Sequence, residues 1–334
     1  MDTSRDASPF SIEPREHLYS SPEVVESVKE FLADVEDYDK VAALSEAFVR
    51  GLSDDRGHRH LIARTAGDDV VVGVIAINED RVVELAVSPQ YRHAGLAVKL
   101  IEGLRDELGI TGAIDVWAHG DLPEAQRFVS RLDARRTREL HKMSVQCAPG
   151  SPRHALFEKA TKDAHERAES LDFSILTYEQ ACERFGKDVT DEEWLRVNNE
   201  AFAWHPEQGG WSLEQLTEAR NTAWFDPQGV LMAWKEDGER THCVGFHWTK
   251  IPVDQREVDE GQRAGEVYVV CVADEARGTG MGSAMTSLGI GYLLDHGCGL
   301  VELYVEGDNA PAVATYRKLG FDVVHTDVVY RGQL

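Results

Sequence analysis

Between Cys271 and Met285 the chain reads CVADEARGTGMGSAM, where Arg277, Gly280 and Gly282 form R-x-x-G-x-G. Glycines at this spacing permit the positive φ angles that let successive backbone N–H groups converge. A helix that starts there adds its unpaired N–H groups and the positive end of its dipole. Such a turn can cradle a pyrophosphate, although an ordinary strand-to-helix turn can carry the same residues. Two other phosphate loops are excluded, because the chain has neither G-x-x-x-x-G-K-[ST] nor G-x-G-x-x-G. Two more side chains stand out. Glu266 is a carboxylate in the apolar run GEVYVVCV, either a strand-edge residue facing water or a base facing a cleft. Tyr316, in AVATYRKLG, falls on the helical face of Val313, as a packed core residue or as a proton donor. Absent a bulge, strand alternation sets Glu266, Tyr268, Val270 and Val272 on one face.

The elements around these residues occur twice. The first half has β runs HLIARTAG, VVVGVIAI and RVVELAVSP, a blurred turn, the helical LAVKLIEGLRDEL and the strand AIDVWAHG. The second half has GVLMAWKE, CVGFHWTKI and GEVYVVCVAD, the sharp turn, the helical GSAMTSLGIGYLLDHG and the strand GLVELYVEG. Each half then shows Gly-Asp, a helix and a last β run, so the order points to an internal duplication. Aligning Arg92 with Arg277 sets Gly95 on Gly280, Ala97 on Gly282 and Arg81 on Glu266. Aligning the Gly-Asp pairs sets Val129 on Tyr316. The first half therefore lacks both proton-transfer candidates, although Glu84 lies three residues from Arg81. Residues 1–148 and 171–334 are expected as two domains, joined by a polar linker, 149–170, with a helical portion.

With 334 residues, 42% of them hydrophobic, the chain can bury two cores. Its net charge of -24 repels phosphate backbones and anionic lipid, so neither nucleic acid nor a membrane is expected as a partner. Cys147, Cys182, Cys243, Cys271 and Cys298 form no C-x-x-C and no zinc spacing. Scattered cysteines, with no signal-like N-terminus and no apolar run near the roughly 20 residues of a membrane span, suggest the reducing cytoplasm and no metal.

The turn, followed by Asn309, Ala312, Tyr316 and Leu319–Phe321 as N-x-x-A…Y…LGF, resembles the GCN5-related N-acetyltransferases (GNAT). The resemblance implies an α/β (α+β) fold of two tandem acyl-CoA N-acyltransferase domains, each a mixed, mostly antiparallel sheet flanked by helices. It implies acetyl-CoA as co-substrate. Val270, Cys271 and Val272 would lie along the pantetheine arm where the strand splays at a bulge. Arg277, Gly278, Thr279, Gly280, Met281, Gly282 and Ser283 would hold the pyrophosphate. Asn309, Ala310, Pro311, Ala312, Val313 and Ala314 would meet the cofactor from the next helix. Glu266 would be the base, Tyr316 the acid that protonates the thiolate, and the Val270 N–H the donor to the thioester oxygen.

RVNNEAFAWHPEQGGW, AWFDPQG, GFHWTK, GEVYV and LYVEGDN, with WAHGDLPEAQ in the first half, are similar to the mycothiol synthase family of actinobacteria. Those tandem enzymes acetylate the cysteinyl amine of Cys-GlcN-Ins with their second half. The implied substrate contacts are Glu207, Lys250, Glu266 and Tyr304, with Glu46 from the first half. A second acetyl-CoA would meet Leu85, Ala86, Val87, His93, Ala94, Gly95, Leu96, Ala97 and Val98. Departures fall in the first half, where Ala97 replaces the last motif glycine and His93–Ala94 the usual basic pair. The cluster of His205, Glu207, Trp224, Asp226 and Lys250 suits a hydroxyl-rich ligand with an ammonium group, with His205 by itself read as structural. Other aminosugars, a peptide amine, or a non-catalytic acetyl-CoA sensor remain open alternatives. Because two fused domains can replace a homodimer contact, a monomer is expected.

Overall fold

The structure is a computed structural model and describes residues 9–205, 208–238, 240–253 and 263–334. The chain divides into two units. Unit 1 takes the residues up to His141 with Glu306–Asp308 and His325–Leu334, and unit 2 takes Lys142–Val305 with Asn309–Val324. Unit 1 runs β1 (Phe10–Arg15), α1 (Pro22–Asp39), α2 (Glu46–Ser53), β2 (Arg59–Thr65), β3 (Val71–Ile77), β4 (Val82–Val87), α3 (Leu96–Asp106), β5 (Ala113–Ala118), α4 (Pro123–Val129) and the start of β6 (Arg135–Gln146). Unit 2 continues with α5 (Pro152–Ser170), β7 (Phe173–Thr177), α6 (Tyr178–Phe185), α7 (Lys187–Ala201), α8 (Leu213–Arg220), β8 (Val230–Asp237), β9 (Arg240–Lys250), β10 (Arg263–Val272), α9 (Met281–Asp295), β11 (Cys298–Glu306), α10 (Ala310–Lys318) and the start of β12 (Asp322–Gln333).

The stretch expected as a linker is mostly α5, which belongs to unit 2 and packs on α9. Its Thr161 hydroxyl donates to Ser287 O at 3.0 Å, and Gly291 leaves the room that Thr161 fills. The end of β12 belongs to unit 1, where it pairs antiparallel with β5, Val328 opposite Ala118. A period of two marks a segment as a strand but does not say which sheet it joins.

In each unit an antiparallel meander ends in one parallel pair. In unit 1 these are β1-β2-β3-β4, then β4 parallel to β5. In unit 2 they are β7-β8-β9-β10, then β10 parallel to β11. One face of the unit 1 sheet packs on α3, through Leu96, Leu100 and Leu104. The other packs on α1 and α2, through Val28, Leu32, Val35 and Phe48. These positions repeat at three or four residues, as an amphipathic helix requires.

β9 is buried on both faces, which explains why THCVGFHWT reads as nearly continuous apolar sequence. On one face Trp248 meets Trp194 of α7 edge-on, with centroids 5.2 Å apart, and Phe246 lies 5.6 Å from the same ring. On the other, His247 Nδ1 is 2.8 Å from Met285 O, and Gly289 leaves the room on α9 that this imidazole fills. Burial lowers the His247 pKa to about 4, so the ring is neutral and structural.

Candidate active site

β10 carries the centre of the site, and a bulge sets its geometry. Val267 pairs with Thr249 and Val269 with Trp248, so Tyr268 is an extra residue between them. The expected alternation is therefore corrected. Glu266, Val269 and Cys271 share the face of Lys250, Trp248 and Phe246, whereas Val270 and Val272 lie on the α9 face with His247. Glu266 and Val270 are on opposite faces because the extra residue reverses the phase of everything beyond it.

The same bulge marks where the sheet opens. β10 pairs with β11 from Arg263 to Val267, while its pairing with β9 continues to Val272. Ala273 donates to Val244 O at 2.9 Å, so antiparallel alternation directs the N–H groups of Val270 and Val272 to the edge that β11 has left. Cys271 points into the aromatic core, where burial raises its thiol pKa well above the ordinary value and keeps it protonated.

Beyond β10 the chain makes a short 3-10 turn, Asp274–Ala276, and reaches Gly278 and Gly280 at φ 74° and 85°. Gly280 is the cap of α9. A side chain would be strained at either position. Glu200 Oε1 of α7 accepts from Asp274 N at 2.6 Å, and Arg167 of α5 donates to Thr279 O at 2.8 Å. The turn is thus held from both sides at the α9 N-terminus, a geometry that can bind an anion. Arg277 is exposed and pairs with Asp274 at 2.7 Å. On α10, Asn309 caps the helix by accepting from Ala312 N at 3.3 Å, with Pro311 in its first turn.

Glu266 is half-buried beside Lys250, with Nζ 3.7 Å from Oε2. The Lys250 ammonium lies 5.1 Å from the Trp224 ring and 5.5 Å from Tyr268, an aromatic enclosure for a cation. Trp224, Trp248 and Tyr268 pack on one another at 4.9–5.5 Å. Tyr316 stands on α10 against Phe321, with centroids 5.9 Å apart. Burial pushes its phenol up to about 12, so it is protonated at neutral pH. Among the described residues its hydroxyl has no hydrogen-bond partner.

Tyr304 is exposed on β11, on the Glu266 face. That face also carries two residues the sequence reading passed over. Glu302 lies directly opposite Glu266 in the parallel register, and Lys142 of β6 pairs with it at 3.0 Å. Their signal was weak, since each reads alone as an ordinary strand charge. Asp226 is drawn away into its own turn, accepting from Gln228 N at 2.9 Å and from the Tyr292 hydroxyl. His205 Nδ1 accepts from Gln208 N at 3.1 Å. Glu207 lies outside the described residues. Glu46 opens α2 in unit 1.

Unit 1 repeats the opening. β4 pairs with β5 only at Val82 and Val83, and Ser88 donates to Val72 O at 2.9 Å, which directs Leu85 and Val87 to the vacated edge. A cavity of about 210 Å³ is lined there by Leu85, Ala86, Val87, His93, Gly95, Leu96, Ala97 and Val98. Ala94 is exposed and off its wall. Arg92 is held by a bidentate pair with Asp39, at 2.8 and 2.6 Å. Matching Gly73 to Gly245 by register sets Val82, not Arg81, on Glu266, because β4 has no counterpart of the bulged Tyr268. The position still lacks a carboxylate. Val129 is buried at the end of α4. Glu84 is sealed, accepting from Ser45 N at 2.6 Å and lying 3.3 Å from His119 Nε2. Asp327 is 3.4 Å from His119 Nδ1. Burial works against the His119 charge, but Asp327 and Glu84 outweigh it and raise its pKa to about 10.

Residues 193–321 match the family model described as Acetyltransferase (GNAT) family. The chain is 54% identical to "Mycothiol acetyltransferase" of Corynebacterium jeikeium, over 96% of this chain and 98% of that protein. It is 55% identical to the protein of the same name in Corynebacterium urealyticum, over 96% and 97%. The chain belongs to the mycothiol acetyltransferase family. As a member of that family it is an acetyltransferase, and its fold is that of the tandem GNAT proteins. A tandem GNAT protein from the clavulanic acid biosynthesis pathway superposes with a TM-score of 0.63 at 14% identity, covering 97% of this chain and 98% of that one. A GCN5-related N-acetyltransferase from Sphaerobacter thermophilus gives 0.65 at 18%, covering 98% and 96%. At these identities the likeness concerns the fold alone. GNAT acetyltransferases use acetyl-CoA. Among the described residues no cluster of His, Cys, Asp and Glu could hold a metal, and no helix is long and apolar enough to cross a membrane.

Proposed function

We propose that unit 2 transfers the acetyl group of acetyl-CoA to the cysteinyl amine of Cys-GlcN-Ins, and that unit 1 holds a second acetyl-CoA without reacting it. The observation that carries this is the placement of Glu266 on an open sheet face, beside Lys250 and its aromatic enclosure, where β10 parts from β11. A free α-amine has a pKa of about 7.7–8.0, so a carboxylate suffices to take its proton. The neutral nitrogen then attacks the thioester carbon. The oxyanion that forms is met by the outward N–H of Val270. The C–S bond breaks, Tyr316 gives its proton to the departing thiolate, and the acylated nitrogen gives up its second proton, which restores the phenol. The vacated β10 edge suits an extended pantetheine arm, and the glycine turn with the α9 N-terminus suits the pyrophosphate. In unit 1 the cavity at Leu85–Val87 suits the same arm.

The test is release of the coenzyme A thiol from acetyl-CoA with Cys-GlcN-Ins, for the wild type and Glu266→Ala, with the product checked by mass spectrometry. Turnover to the N-acetyl product that falls roughly a hundredfold or more in the variant is expected. Turnover restricted to other aminosugars would replace the acceptor, and no turnover on any amine with acetyl-CoA still bound would leave a sensor.

A further inference from the structure

The open face of unit 2 bears a row of four charges across four strands, two carboxylates flanked by two ammonium groups: Lys250 on β9, Glu266 on β10, Glu302 on β11 and Lys142 on β6. Glu266 and Glu302 are register partners, and like charges directly opposite on neighbouring strands are destabilising. The ion pair to Lys142 is half-buried, and such a pair adds little net stability because desolvation offsets its attraction. A residue placed at a cost to the fold points to a ligand. Two residues along the same strand, on the same face, stands Tyr304, 42% exposed, with Lys142 Nζ 5.9 Å from its ring centroid. An exposed aromatic face rimmed by one carboxylate and one ammonium provides a stacking surface, an acceptor and a donor. Those are the groups that read a sugar ring.

Resting on the acceptor proposed above, we propose that Glu302 and Lys142 form a subsite for the acceptor's sugar. Glu302 accepts hydrogen bonds from its hydroxyls, Lys142 donates to them, and the ring packs on Tyr304. Glu266 takes the amine proton one strand away, so the subsite sets specificity and leaves the chemistry to its neighbour.

Steady-state kinetics of Glu302→Gln and Lys142→Met test this against Cys-GlcN-Ins and against L-cysteinamide, which has the same amine and no sugar. With Cys-GlcN-Ins, the acceptor KM rises about tenfold or more in each variant, the scale of one charge-assisted hydrogen bond. kcat stays within about twofold, and the KM for acetyl-CoA is unchanged, which reports an intact fold. With L-cysteinamide, variants and wild type agree within about twofold. An unchanged acceptor KM, a loss confined to kcat, or an equal penalty on both acceptors overturns the subsite. No turnover of Cys-GlcN-Ins by the wild type itself would instead sink the acceptor assignment, and the subsite with it.

Discussion

β4 in unit 1 and β10 in unit 2 have the same neighbours and part from them in the same way, yet their carboxylates differ. Glu266 lies before a bulge, half-buried on an open face. Glu84 lies on a strand with no bulge, 2% exposed, between Ser45 N and His119. One can exchange a proton with a ligand. The other is fixed in an ionic cluster with His119 and Asp327, and burial with charge pairing on that scale serves the fold. One extra residue in a strand, together with what packs over the carboxylate, separates a carboxylate on an open face from one sealed in the fold.

The comparison can be broken most severely at the base. Glu266→Gln should lower kcat by about 10²–10⁴-fold with acetyl-CoA binding kept, measured by thiol release and calorimetry, whereas Glu84→Gln should leave kcat within a few-fold. Equal losses at both positions would erase the distinction. Tyr316→Phe should cost roughly a hundredfold in kcat.

Stability should show the reverse asymmetry. Glu84→Gln removes one of the two carboxylates that pair with buried His119 and should cost about 1.5–3 kcal/mol in denaturant unfolding. The exposed pair at Arg277 and Asp274 should cost under about 1 kcal/mol when broken. His119 sharpens this further through pH. Its pKa is raised from about 6.5 to about 10 on folding, so its contribution is fully present below about pH 6.5 and is lost as pH rises through 10. Asp327 is held well below the carboxylate range, against the cost of burial, by His119 and His325. Its contribution is present above about pH 4 and lost in acid. The thermal midpoint should therefore decline from pH 7 to 10, and the decline should flatten in His119→Gln. A further small effect belongs to the turns. Gly280→Ala and Gly95→Ala each force an alanine to φ above 80° and should cost about 1 kcal/mol, with acetyl-CoA affinity weakened in the altered unit only.

The motif residues were legible because their chemistry is local. A turn that needs φ above zero shows as Gly278 and Gly280, and a helix cap shows as Asn309, whatever surrounds them. The duplication was legible because order and periodicity survive divergence. The bulge at Tyr268 was not, since nothing in VYVVCV marks which residue leaves the ladder, and so the partner of Glu266 was placed one residue early, at Arg81 instead of Val82. Neither could the sequence pair Glu302 with Glu266, or bring Glu84, His119 and Asp327 together from three distant segments. By itself, then, the sequence determined the repeated architecture, the glycine turns and the residue types available for acetyl transfer. Only the tertiary structure decided strand phase, strand exchange at the C-terminus and which carboxylate stays open, because register and burial depend on contacts between residues far apart in the chain.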